Sequence, residues 1–70
     1  MTPDQLRQAL RELNGERACV FAFVGLPETL NVHNAMLIPD EADHLVKVTD
    51  GQSVFIVDAE RVAWIRIGLK

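Results

Sequence analysis

The chain has 70 residues and a net charge of −3, with seven Lys and Arg against ten Asp and Glu, and 49% of it is hydrophobic. That balance leaves no overall basic footprint of the kind that general nucleic-acid binding requires. The longest apolar runs fall far short of the roughly 20 residues that span a bilayer, and a single cysteine, Cys19, excludes an internal disulfide.

A chain of this length makes one domain, residues 1–70, and so small a domain buries only about 60% of its unfolded surface. No Cys/His spacing marks a structural zinc site, so the apolar surplus points to a subunit interface as the missing source of stability. The N-terminus lacks the charged-then-apolar layout of a secretory signal, and an unpaired cysteine fits a reducing cytoplasm.

In chain order, the first element predicted is a helix over about residues 3–13. Thr2 is its N-cap, Pro3 takes the favoured first position, and Gln5 completes a T-x-x-Q capping box. Leu6, Leu10 and Leu13 recur at helical spacing with Ala9 beside them, and Asn14-Gly15 ends the run. A first strand is predicted over about 17–24. Its continuous apolar run, Ala18 to Val24, implies that both faces are covered. Gly25-Leu26-Pro27-Glu28 breaks it.

A second strand is predicted over about 29–38. Leu30, Val32, Met36 and Ile38 share one parity, and Asn34 intrudes among them as a polar group that must find partners, which marks either a bulge or a subunit contact. Pro39 to Asp43 is a turn with three carboxylates. A third strand follows over about 44–49, Asp50-Gly51 signals a hairpin, and two more strands are predicted over about 53–57 and 61–67. Only Asp58-Ala59-Glu60 separates these last two, with neither Gly nor Pro. So abrupt a bend in so short a chain predicts a small, strongly curved β-barrel with two adhesive strands at its end.

This layout, a short N-terminal helix and five bent antiparallel strands with a minimal final turn, resembles the Sm/LSm/Hfq-like family over nearly the whole chain. Val57-Asp58-Ala59-Glu60-Arg61-Val62 stands where that family carries its second short motif. The apolar flanks match, but Asp58 replaces a basic or imidazole group. Asp40-Glu41-Ala42-Asp43-His44-Leu45-Val46 echoes the first motif and puts His44 near the place of an RNA-contacting Asn.

The resemblance implies a mainly β fold, a helix on a five-stranded SH3-like barrel, and a homo-oligomeric ring joined through the fourth and fifth strands. Val54, Ile56, Val57, Val62 and Trp64 are the expected interface residues, so Val57→Lys or Val62→Glu is expected to break the assembly. It also implies RNA contact near the pore, for which His44, Arg61, Arg7 and Arg11 are the candidates. The acidic balance and Asp58 oppose phosphate, so the chain's partner is expected to be itself before RNA.

The alternative reading is a small metal-dependent binder or enzyme using the Asp40/Asp43/His44 turn, since carboxylates beside an imidazole hold divalent ions or share protons. Such a cluster is more ordinarily a solvated connection. Cys19 lies among apolar neighbours, which makes it a packing residue, and Ser53 has no His/Asp order of a triad. The expected function is therefore non-enzymatic, with no cofactor.

Overall fold

Local chemistry dictates how the chain begins. In the computed structural model, which describes residues 1–69, helix α1 (Pro3–Leu10) is capped by Thr2. The Gln5 N–H donates to the Thr2 hydroxyl at 3.1 Å, and the Thr2 N–H donates to the Gln5 side-chain oxygen at 3.0 Å. Two otherwise orphan donors are thereby satisfied, and Pro3 sits where no N–H is needed. The helix ends at Leu10 rather than at about residue 13. A turn through Arg11 and Glu12 nevertheless delivers Leu13 to the core.

Six strands follow: β1 (Cys19–Phe23), β2 (Thr29–Val32), β3 (Met36–Leu37), β4 (Val46–Thr49), β5 (Val54–Val57) and β6 (Val62–Ile67), the last two linked by a 3-10 turn, Ala59–Arg61. They form two antiparallel three-stranded sheets, ordered β2-β1-β6 and β3-β4-β5. The predicted second strand over 29–38 is therefore two strands, one in each sheet.

The break lies at Asn34, whose φ of 51° is the left-handed conformation that Asn tolerates better than most residues. Ala35 beside it is fully buried. Its N–H donates to the Arg17 carbonyl at 2.8 Å, and its own carbonyl accepts from the Gly15 N–H at 3.0 Å. These two bonds hold the bend against the loop that leaves α1. Elsewhere the strands are trimmed. β1 is shorter than 17–24, and β4 starts at Val46 because His44, at φ 57°, is turned out of extended geometry.

Between the sheets and under α1 lies one core. Phe21, Leu6, Leu10, Val32, Val46, Val48 and Cys19 are its largest fully buried side chains. Val57 and Val62, each 4% exposed, belong to the same cluster. Both side chains are core within the subunit, so Val57→Lys or Val62→Glu would put an unpaired charge there and unfold the subunit rather than act on an assembly alone. Phe21→Ala is expected to cost about 3–5 kcal/mol, most of the stability of a small domain, and urea unfolding followed by circular dichroism would measure it.

Candidate functional site

The two sheets leave four edges, and the edges differ in character. Successive residues of a strand turn their backbone groups to opposite sides, so one cross-strand bond determines the rest. The Ile38 N–H donates to the Lys47 carbonyl at 3.0 Å, which turns Lys47 and Thr49 toward β3 and Val46 and Val48 toward β5. Val57 and Phe55 answer Val46 and Val48 in the β4–β5 register. The backbone groups of Val54 and Ile56 are then left facing outward.

The Gly68 N–H donates to the Ala18 carbonyl at 2.8 Å, so Val20 and Ala22 face β6, where Arg66 and Trp64 answer them. Ile65 and Ile67 are left facing outward on β6. On β2 the outward residues are Thr29 and Asn31, both exposed, with the Asn31 amide donating to the Thr29 hydroxyl at 3.4 Å. The β2 edge is thus polar in its side chains. The β5 and β6 edges carry only Val and Ile.

On β5 the outward residues are also the exposed ones, whereas on β6 the outward Ile65 and Ile67 are half-buried against the core and Trp64 is exposed. Val54 is 54%, Ile56 63% and Trp64 47% exposed, so three of the five expected interface residues lie on the surface, while Val57 and Val62 are core. Ile56 also lines a groove of about 450 Å³ at the end of β5. Its floor is Val46, Val57 and Ala59, all nearly fully buried, with Pro3 and the half-exposed Leu45 as further walls. His44, Asp58 and Glu60 stand at its margin.

The sharp bend between β5 and β6 has a local cause. Asp58 caps the 3-10 turn, its carboxylate accepting from the Glu60 N–H at 3.2 Å. The capping carboxylate supplies what a Gly or Pro turn would otherwise supply. It also faces Arg61 at 3.5 Å, so this RNA candidate, though exposed, stands beside a carboxylate.

The acidic turn is a structural clamp. Arg7, 8% exposed, reaches from α1 to Asp40 at 3.1 Å and to Asp4 at 3.4 Å, and it donates to the His44 carbonyl. Lys47 on β4 takes Glu41 at 2.7 Å and Asp43 at 2.8 Å. Asp40 also faces His44 Nδ1 at 3.3 Å. Arg7, a candidate for RNA contact, is therefore tied between the helix and the β3–β4 loop. Arg11 stays exposed at the helix end.

Among the described residues no three His, Cys, Asp or Glu side chains converge as a metal site, and the carboxylates of the turn already face Arg7 and Lys47. Burial pushes the Cys19 thiol up to about 11, so it stays protonated near neutrality and is no nucleophile. No helix among the described residues is long and apolar enough to cross a membrane. Compared with family models, curated proteins and solved structures, the chain has no significant match.

Sequence reading missed Lys47 as the hub of the acidic turn. Its signal was there: one cation in a Val-Lys-Val strand, four residues after Asp43 and six after Glu41. The Lys47 ammonium, with the Leu45 N–H, holds the Asp43 carboxyl below the usual range, while Asp43 and Glu41 raise Lys47. A depressed carboxyl stabilises the fold above its unfolded range, and that contribution is lost as pH falls through the folded value. A raised lysine stabilises below its unfolded range, and that contribution is lost as pH rises through the folded value. Stability is therefore expected to be flat around neutrality and to fall on both sides. Asp43→Asn should flatten part of the acid fall in urea midpoints measured from neutral into acid pH. Arg7→Met should lower stability by about 1–3 kcal/mol, discounted for the half-exposed Asp40.

Proposed function

We propose that this chain is the subunit of a non-enzymatic, homo-oligomeric interaction module of Sm-like kind, resident in the cytoplasm. In this reading β2 and β3 are the two arms of one bent strand, the two sheets are the halves of a five-stranded SH3-like barrel, and α1 closes one end. The β5 edge of one subunit pairs with the β6 edge of the next. One observation carries the reading: the outward-facing residues of two consecutive strands are Val54 and Ile56 on one and Ile65 and Ile67 on the other.

Long apolar edges with unpaired backbone groups invite another strand, and monomeric proteins ordinarily blunt them with charge, proline or bulges. Here the outward residues of β2 are Thr29 and Asn31, whereas those of β5 and β6 are Val and Ile, and the β6 bulge at Ala63 lies before them. Because the joining surfaces are two different edges, the contact is head-to-tail, and it closes into a ring where the rotation between subunits divides a full turn. The surplus of apolar residues in so small a chain supports the same assignment.

RNA ranks below self-association and protein scaffolding. Of the four candidate contacts, Arg7 is clamped, Arg61 faces Asp58 and His44 faces Asp40. The net charge of −3 adds long-range repulsion of phosphate. Labelled oligo(U) and oligo(A) are expected to show no mobility shift at micromolar protein in low salt; a tight shift would place RNA binding first.

Light scattering with size-exclusion chromatography should return a mass several times that of the subunit. Ile56→Lys, on an exposed side chain at the free edge, should return the subunit mass with unchanged circular dichroism. A native chain that runs as a monomer at all concentrations would sink the proposal.

A further inference from the structure

The free edges do more than permit pairing, because their geometry selects a register. The outward residues Val54 and Ile56 must meet the outward residues Ile65 and Ile67 of the next copy if all four are to bond. Antiparallel overlap of the whole strands puts Ile56 opposite Ile65 and Val54 opposite Ile67. A slip by one pair in either direction brings in Leu69, which lies beyond β6, or Ala63, which sits at the β1–β6 irregularity without a register partner. The full register is the one that uses the whole of both edges.

That register has a consequence for one side chain. It sets Trp64 of the next copy opposite Val57, and residues directly opposite in an antiparallel pair share a face. The face of Val57 is the floor of the groove formed with Val46 and Ala59 and walled by Pro3, Leu45 and Ile56. We infer that Trp64 of one copy seats in this groove of its neighbour, as the anchor of the subunit contact. The inference rests on the edge-to-edge reading above and adds the occupant to it.

The chemistry of the two parts agrees. Trp64 is 47% exposed on its own subunit, an unusual exposure for the chain's single tryptophan. A groove of about 450 Å³ lies within the size range of sites that enclose compact organic groups. Its floor is apolar, and the Asp58 and Glu60 carboxylates at its margin offer acceptors for the indole N–H. Buried tryptophans seated in a neighbour's pocket carry a large share of interface energy.

The single tryptophan is also the probe. On dilution through the assembly equilibrium, its emission is expected to shift to longer wavelength and its quenching by acrylamide to rise, in step with the fall in mass. Trp64→Ala and the groove-wall variant Leu45→Glu should each weaken assembly by about 30-fold or more, with the dichroism of the folded subunit retained, and Trp64→Phe should recover most of the loss. If the chain assembles while Trp64 emission and quenching stay constant, or if Trp64→Ala assembles like the native chain, the seat is wrong and the edge pairing stands. If the native chain never assembles, both fall.

Discussion

Both backbone groups of Ala35 are committed across the fold, to Arg17 and to Gly15, and its side chain is fully buried. Around that point the chain turns from one sheet into the other through Asn34 in left-handed geometry. Had β2 continued straight, its residues would have formed one long flat strand with a single set of neighbours. The pinned bend instead gives each sheet its own third strand. Each sheet then ends on two edge strands, β2 and β6 in one and β3 and β5 in the other. The core, the groove and the proposed contact all depend on this one turn.

The most chemically suggestive stretch of the sequence is tied into the fold by two cations. Asp40, Glu41, Asp43 and His44 look like a ligand set when read along the chain. In space their charges meet Arg7 from α1 and Lys47 from β4. The clamp does for the helix what a longer apolar stripe would do in a larger protein. It joins an eight-residue helix to the β3–β4 loop through a largely buried guanidinium.

In the proposed assembly, the apolar character of the β5 and β6 edges follows from the same economy of size. A chain this short cannot surround every apolar side chain with its own atoms. Val54, Ile56 and Trp64 remain outside because the inner faces of their strands are already filled by Phe55, Val57, Val62 and Ile65. Completion of the core by a second copy is the physical content of the oligomeric reading. It also explains why the adhesive residues lie on two strands separated only by a capped turn.

Local signals were legible in the sequence wherever the cause was local. The Thr2–Gln5 box, the helical leucines, the continuous run of β1 and the short final turn were all readable, because each depends on residues a few positions apart. Asp58 as a turn cap was partly legible, as a polar residue in place of Gly. The split at Asn34 was visible only as an anomaly of parity, since its meaning lies in bonds from Ala35 to Arg17 and Gly15. Whether Val57 or Ile56 faced the core, whether Arg7 was free, and which edge was left open could not be read, because each depends on what arrives from elsewhere in the chain. The sequence by itself thus determined the kind and order of the elements, through capping, periodicity and turn chemistry. Only the tertiary structure decided which side chains and backbone groups remained unpartnered, because that is the remainder once every long-range contact has been made.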